Sequence, residues 1–237
     1  MILTTKNSIR EALSSGLTIN KVCVQIGDKD YEVQKLASLA RNKKIKVEYL
    51  PKNVLDKKYG KNQGITAETV EFTYSTVDEI LEGAENALPF ILILDGINDP
   101  HNFGAIIRSA ECAGVQGIII PKDRAVAVND TVIKTSTGAV SNMKIARVSN
   151  IKNEIEKLKK KGLWVWAAEA GGSDIYKTNL NGPIAVVIGS EGKGVSKLTK
   201  EKCDGIISMP MMGKVNSLNA SVATGIVLFE ILRQRRS

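Results

Sequence analysis

Polar side chains of the types used in catalysis concentrate in three segments, the first being residues 94–114, LDGINDPHNFGAIIRSAECAG. Asp95 and Asp99 follow an apolar run that predicts a buried strand, and a helix is predicted to begin near Asn102. Arg108 lies next to the apolar stripe of that helix. It is therefore either a solvated arginine, the commoner fate of this residue, or a functional one.

The second segment, AVVIGSEGKGVS at 185–196, predicts a strand that enters a glycine-rich loop. Gly189, Gly192 and Gly194 would let the backbone approach a ligand closely. Their spacing is not the GxGxxG of dinucleotide-binding folds, and the phosphate loop GxxxxGK[ST] does not occur, so ATP hydrolysis has no support. Glu191 would either cap the following helix or serve a ligand.

The third segment, residues 207–236, predicts a strand that ends at Pro210, a glycine-bearing loop and a long amphipathic helix. Ser217 or Asn219 is expected to cap this helix. A cap accounts for one polar residue and leaves the others, among them Asn216, for another role. The segment closes with three arginines that are expected to form a solubilising tail rather than an RNA contact: Arg233, Arg235 and Arg236.

Composition limits the chemistry and favours a polyanionic partner. The 237 residues include 33 Lys and Arg against 25 Asp and Glu, a net charge of +8. This excess suits a partner such as RNA or DNA but is also found in ordinary basic proteins.

The single histidine, His101, excludes a multi-histidine metal site and is expected to be a polar loop residue. Three distant cysteines without a CxxC pair argue against a disulfide framework or a zinc site. With no signal-peptide core and no membrane-length apolar run, we expect a cytoplasmic protein.

Continuous apolar runs after Pro89 predict the elements that position the three segments. Runs without polar alternation are typical of strands buried on both faces of a parallel sheet, and they occur at 90–94, 118–120, 163–168, 184–188 and 206–209. Helices are predicted at 102–113, 151–161 and 218–235. This order predicts an α/β domain, by default an open doubly wound sheet, with its ligand at the carboxyl ends of the strands.

The first third of the chain predicts a smaller α/β unit that carries most of the net positive charge. Helices are predicted at 6–16, ending at Gly16, and at 31–43 and 51–60, with strands at 22–26 and 46–50. Residues 1–75 hold 13 Lys and Arg against 8 Asp and Glu, a net +5, which leaves +3 for the rest. Two basic clusters stand out: Arg41, Lys43, Lys44 and Lys46, then Lys57, Lys58 and Lys61.

Together the three segments resemble the motifs of the SpoU, or TrmH, family of RNA ribose methyltransferases in the SPOUT class. NDPHNFGAIIRSAECAG, VVIGSEGKGVS and ISMPMMGKVNSLNASVATGIVLFE stand in the family's order and span most of 94–230. The first third resembles the family's L30e-like domain, although Lys6 stands where glycine is common and Asn62-Gln63-Gly64 replaces a frequent His-Gln-Gly. The resemblance implies an L30e-like RNA substrate-binding domain at 1–75 and a SpoU methyltransferase domain at 89–237. The linker between them, residues 76–88, is predicted from its own sequence to be a helix or a helical linker.

The resemblance also implies a fold, an assembly and a site. It implies a C-terminal trefoil knot, which the apolar pattern does not predict, and a homodimer with active sites at the subunit interface. S-adenosylmethionine would bind in the knot loops without a metal, in contact with Gly189, Met209 and Leu218. The family's functional polar positions fall on Asn102, Arg108, Glu191, Ser217 and Asn219.

The implied reaction is methyl transfer to the 2'-hydroxyl of an RNA ribose, most closely that of the bacterial members that methylate a guanosine of 23S rRNA. Positioning supplies much of the catalysis in such an in-line displacement. Because a guanidinium hardly deprotonates, Arg108 is expected to clamp an RNA phosphate and stabilise the developing alkoxide rather than act as a base. The alternatives are a tRNA ribose methyltransferase, a resistance rRNA methylase, and an RNA-binding assembly factor that does not methylate.

Overall fold

A computed structural model of the chain describes residues 2–14, 19–69, 72–83, 88–214 and 217–236. Two compact units are present: the first comprises 1–73 with 128–141, and the second comprises 74–127 with 142–237. Gly16, the predicted end of the first helix, lies outside the described residues. None of the helices in the described part of the chain combines the length and apolar character that a membrane span needs.

The regular elements follow one another in a largely alternating order. In chain order they are β1 (Ile2–Leu3), α1 (Lys6–Ser14), β2 (Ile19–Gln25), α2 (Tyr31–Asn42), β3 (Lys46–Leu50), α3 (Lys52–Tyr59), β4 (Ile65–Thr69), α4 (Val77–Glu82), β5 (Phe90–Asp95), α5 (Pro100–Cys112), β6 (Gly117–Pro121), α6 (Asp130–Thr135), β7 (Lys144–Val148), α7 (Ile151–Lys160), β8 (Trp164–Asp174), β9 (Ile184–Gly189), α8 (Lys197–Lys200), β10 (Gly205–Ser208) and α9 (Ala220–Arg235).

The first unit is built on a four-stranded mixed sheet in the order β1-β4-β2-β3, which leaves β3 at an edge. Strands β2 and β3 are parallel, and β4 runs antiparallel to β1 and β2. Alternate residues of β2 face opposite sides of the sheet. Val22 and Val24 pack in the core shared with α1 and α2, whereas Cys23 packs with Leu55 and Tyr59 of α3. The predicted α/β unit is thereby confirmed, with β1, β4 and α6 as additions.

The second unit contains the predicted parallel sheet, in the order β10-β8-β9-β5-β6-β7. All five strand pairs are parallel. Ile91 and Ile93 of β5 join a core with Ile155 of α7, and their neighbours Leu92 and Leu94 are fully buried on the opposite face. Both faces of the sheet are therefore covered, as the uninterrupted apolar runs predict.

Residues 76–83 contribute a short capped helix to the core of the second unit. Thr76 and Glu79 form a reciprocal capping box, in which each side chain accepts from the other's backbone N–H, at 2.6 and 3.2 Å. Ile80 is fully buried in the same core as Ile91 and Ile93. This part of the predicted linker is thus helical and packed.

Two sequence-based expectations need correction, and one strand was not predicted. Strand β7 was not predicted, because Lys144 and Arg147 interrupt its apolar run. His101 lies in the first turn of α5, where it is exposed, and not in a loop. Arg235 is not part of a solubilising tail: its guanidinium donates to the carbonyls of Leu88, Pro89 and Gly182 and stacks 4.7 Å from the centre of the Phe90 ring.

Candidate active site

The three motif segments meet at one edge of the six-stranded sheet. Residues 96–99 follow β5, residues 190–196 follow β9, and residues 209–219 follow β10. Because these strands are parallel, their carboxyl ends point the same way, and this is where α/β sheets bind ligands. The loops therefore place polar side chains together that are far apart in the chain.

Glu191 joins the three segments through one carboxylate oxygen. Its Oε1 accepts hydrogen bonds from Asn102 Nδ2 at 3.1 Å, Asn219 Nδ2 at 2.6 Å and the backbone N–H of Ala220 at 3.3 Å. Asn219 Nδ2 also donates to Asn102 Oδ1 at 3.0 Å. We call Asn102, Glu191 and Asn219 the amide–carboxylate junction. It brings together one predicted catalytic residue from each motif.

Helix caps fix the two asparagines of the junction. Asp99 caps α5 by accepting from Asn102 N at 2.7 Å. Asn219, rather than Ser217, caps α9: its Oδ1 accepts from the backbone N–H groups of Ser221 at 2.9 Å and Val222 at 3.3 Å. The other end of the same amide reaches Glu191, so Asn219 serves as a cap and as a member of the junction.

Glu191 does not cap the helix that follows it in the chain, as one of its two predicted roles required. Ser196 occupies the cap position of α8. Glu191 instead lies against the first residue of α9 and accepts from the backbone N–H of Ala220, where the positive end of the helix dipole favours a carboxylate. Its second predicted role, contact with a ligand, remains a prediction.

The glycine loop closes on itself, and this closure explains its glycines. Ser190 and Gly194 exchange backbone hydrogen bonds of 2.9 and 3.2 Å, and Gly192 and Gly194 have φ of +77° and +65°. A β-carbon on Gly189 would overlap the backbone of Gly194 and Val195. Glycine at 189 is therefore required by the loop's own packing, a different reason from the ligand approach that the sequence suggested.

Two carboxylates hold this loop to neighbouring strands. Asp95, at the end of β5, accepts from Ser196 N at 3.0 Å. Glu169 on β8 accepts from Val195 N at 3.0 Å and pairs with Lys200 Nζ at 2.6 Å. Sequence reasoning missed Glu169, whose only signal is a single carboxylate within an otherwise apolar run.

A cavity of about 750 Å³ opens between the glycine loop, the end of β10 and the start of α9, within the size range of small-molecule sites. All three predicted cofactor contacts line it: Gly189, Met209 and Leu218. Glu191, Ser217, Asn219 and Glu169 line it as well, and its apolar walls include Ile188, Ile207 and Val227.

Two predicted catalytic residues lie outside the cavity wall. Asn102 is linked to the cavity through its hydrogen bonds to Glu191 and Asn219. Arg108 is exposed on α5, and its guanidinium makes no hydrogen bond or ion pair with any residue that the structure describes. Asn216 lies outside the described residues. A single copy of the chain thus assembles the cavity and the junction without Arg108.

The described residues support neither catalysis by a Cys203 thiolate nor a metal site. Burial raises the pKa of the Cys203 thiol to about 11, and the thiol donates to the Thr199 carbonyl. A thiol with so high a pKa is a poor nucleophile near neutral pH. Within the described ranges, no group of three or more His, Cys, Asp or Glu side chains is placed to hold a metal ion.

Solved structures share this fold over nearly the whole chain. The SpoU methyltransferase AviRb from Streptomyces viridochromogenes, crystallised with AdoMet, has a TM-score of 0.78 at 22% identity and covers 100% of this chain and 91% of its own. An AdoMet-bound rRNA methyltransferase from Sinorhizobium meliloti has a TM-score of 0.74 at 24% identity, over 98% and 86%. At these identities the likeness establishes the fold alone.

Sequence comparison establishes the family. The profile of the SpoU rRNA methylase family matches residues 89–229, and the profile described as RNA 2'-O ribose methyltransferase substrate binding matches residues 6–75. YacO of Bacillus subtilis (strain 168), named as a candidate TrmH family tRNA/rRNA methyltransferase, is 42% identical over 235 residues, 97% of this chain and 94% of YacO. The chain therefore belongs to the SpoU rRNA methylase family.

Proposed function

We propose that this chain transfers the methyl group of S-adenosylmethionine to the ribose 2'-hydroxyl of a guanosine in 23S rRNA. The observation that carries the proposal is the amide–carboxylate junction, in which one functional position from each family motif meets beside a 750 Å³ cavity. Family membership supports an RNA methyltransferase. The choice of rRNA rests on the family description and on the pairing of an L30e-like domain at 1–75 with the catalytic domain at 89–237, joined through 76–88.

The cavity fits S-adenosylmethionine by the chemistry of its walls. Ile188, Met209 and Leu218 offer apolar surface for an adenine ring, and the Glu169 and Glu191 carboxylates are acceptors for hydroxyl and ammonium groups. AdoMet in the crystals of AviRb and the Sinorhizobium meliloti enzyme supports this assignment. When bound, the cofactor supplies a methyl group already activated as a sulfonium.

The chain's own contribution is to hold the accepting ribose and to stabilise the charge that develops on it. Asn102, Glu191 and Asn219 fix the three loops relative to one another, which positions the 2'-hydroxyl oxygen for in-line attack. Arg108 clamps an RNA phosphate and stabilises the alkoxide forming at that oxygen. The hydroxyl proton passes to a phosphate oxygen or another group, because a guanidinium cannot accept it.

A homodimer completes the proposal, with a trefoil knot forming the cofactor loops. Val222 and Phe229, 50% and 48% exposed, lie two turns apart on one face of α9, and Leu218 at the cavity is 39% exposed. Exposed apolar side chains grouped in this way mark an interaction surface. Arg108, outside the cavity wall, would complete a site that lies between two copies.

Oligomeric state tests the dimer directly. Phe229→Glu should shift the molar mass measured by light scattering from about 51 kDa, twice the 25.6 kDa chain, towards that of one copy. Leu198→Glu is the matched control, because Leu198 is also about half exposed, at 56%, but lies on α8. A single-copy mass for the unaltered chain would remove the dimer from the proposal.

Ribose mapping tests the substrate. Total RNA from cells with and without the chain is mapped for 2'-O-methylation, and the purified chain is assayed with labelled S-adenosylmethionine on 23S rRNA and on tRNA. We expect a single guanosine of 23S rRNA to lose its methyl group in the cells without the chain. A tRNA position would reassign the substrate, and RNA binding without any transfer would favour an assembly factor.

A further inference from the structure

Among the described residues, three helices end in the same type of turn, but one of them carries a lysine where the others carry glycine. After α5 and α7, Gly114 and Gly162 have φ of +77° and +89°; after α2, Lys44 has φ of +59°. In each turn, the following residue donates its N–H to a carbonyl five residues earlier: Val115 to Ala110, Leu163 to Leu158 and Ile45 to Ala40, at 2.9 to 3.1 Å.

Lysine is the less stable choice in this turn. In the left-handed region, the β-carbon lies too close to the next carbonyl oxygen, which is why glycine predominates after helices. No neighbouring atom lies within 4 Å of a β-carbon built on Gly114 or Gly162, so the difference comes from the backbone alone. A strained backbone position is evidence that the side chain has a role elsewhere.

Lys44 is surrounded by other basic residues that form no ion pairs within the described ranges. Arg41, Lys43, Lys44 and Lys46, which we call the turn cluster, are all exposed, and none forms an ion pair with a described carboxylate. Four other described cations of the same unit are paired, among them Lys6 with Asp30, Lys21 with Glu48 and Lys58 with Glu68. The nearby Glu48 is occupied by Lys21, whose hydrogen bond holds the pKa of that carboxyl below its usual value.

The turn cluster runs from the end of α2 to the first residue of an edge strand. Strand β3 begins at Lys46 and is the terminal strand in the order β1-β4-β2-β3. An edge strand presents free backbone groups as well as its side chains. Four cations within six residues at such an edge have the charge and the access that a polyanionic chain requires.

We propose that the turn cluster binds the phosphate backbone of the substrate RNA, and that Lys44 occupies a glycine position because its charge contacts a phosphate. The inference rests on the proposed function only in taking RNA as the substrate. Each phosphate contact releases counterions from the RNA, so the cluster contributes affinity that falls steeply with salt.

The test is Lys44→Gly, which should make the protein more stable but weaken its binding to RNA. Relief of the left-handed lysine should raise the thermal midpoint by about 2–4 °C. Loss of one phosphate contact should weaken RNA binding several-fold and reduce the slope of log affinity against log salt by about 1. The mirror control is Gly162→Lys in the turn after α7, which should lower the midpoint without strengthening RNA binding.

A charge reversal extends the test to the three lysines of the cluster. Lys43→Glu, Lys44→Glu and Lys46→Glu combined should lower methyl transfer at subsaturating 23S rRNA at least tenfold while calorimetric S-adenosylmethionine affinity stays unchanged. If the unaltered chain methylates RNA but Lys44→Gly leaves RNA affinity and salt slope unchanged, the inference is overturned and the proposed function stands. If the unaltered chain methylates no RNA, the proposed function fails. The salt slopes of RNA affinity for the unaltered chain and for Lys44→Gly then still decide whether the cluster binds RNA.

Discussion

Asn219 Nδ2 lies 3.0 Å from Asn102 Oδ1, although 117 residues separate the two asparagines. Glu191 bonds to both, so the three motifs hold one another in place around a single carboxylate oxygen. Asn102 and Asn219 also lie at the starts of α5 and α9, where helix caps hold them. Movement of any one loop must therefore disturb the other two.

Glu191→Ala should loosen all three segments at once. It removes an acceptor used by two side-chain amides and one backbone N–H, so we expect a loss of about 1–2 kcal/mol of stability and weaker S-adenosylmethionine binding. Glu191→Gln keeps an acceptor oxygen and should recover most of the stability. Thermal denaturation and calorimetry measure both; equal losses for the two variants would contradict the hydrogen-bond explanation.

Glu169→Ala should weaken cofactor binding without slowing methyl transfer at saturating cofactor. The loop would lose its acceptor at Val195 N and its link to Lys200, and a tenfold rise in the dissociation constant corresponds to about 1.4 kcal/mol. The control is Glu156→Ala, which breaks the exposed Glu156–Lys202 pair away from the loop. A lower turnover at saturation, with affinity preserved, would contradict a positioning role for Glu169.

Gly189→Ala should disrupt the loop more than Gly192→Ala does. A methyl group at 189 overlaps the backbone of Gly194 and Val195, whereas no atom lies within 4 Å of one at 192, which carries only the cost of a positive φ, about 1 kcal/mol. We expect a lower thermal midpoint and lost cofactor affinity together for Gly189→Ala. Equal stability of the two variants would show that the loop relaxes around the added atom.

Arg108→Ala should lower single-turnover methyl transfer by about 10²–10³, or about 3–4 kcal/mol, while cofactor affinity changes little. The reason is that Arg108 has no partner among the described residues and is free to contact RNA. Arg108→Lys should rescue poorly, because a point charge does not reproduce a planar fork. An ordinary solvated arginine predicts a stability change of at most about 0.5 kcal/mol and unchanged turnover. A single-turnover rate for Arg108→Ala within a few-fold of that of the unaltered chain would contradict the catalytic role of Arg108.

The parallel sheet was predictable because strands buried on both faces leave uninterrupted apolar runs, as at Phe90–Asp95 and Ile184–Gly189. Strand β7 was not, since Lys144 and Arg147 break its run. The motifs identified the members of the junction, but no spacing rule states that Asn102 and Asn219 touch. That contact exists only because β5, β9 and β10 end at the same edge of the sheet.

Two other errors in the sequence interpretation share one physical cause: the role of a polar residue was inferred only from its neighbours in the chain. Arg235 stands among other arginines, which suggested a solvated tail, yet the fold brings its guanidinium to three backbone carbonyls. Glu169 was passed over within an apolar strand, where its loop partners Val195 and Lys200 are about thirty residues further along. Only the tertiary fold supplies these partners.

The Arg235 contacts also bear on the order in which the domain is completed. Arg235 and Pro89 are separated by 146 residues, so their bond closes nearly the whole length of the second unit. Contacts of such long range form late and slow folding. A nascent chain made only as far as β10 contains the six strands of the sheet but lacks α9 and the Asn219 that caps it. Because α9 lines the cavity, cofactor binding should begin only after this helix has docked, and it would then report the docking of α9.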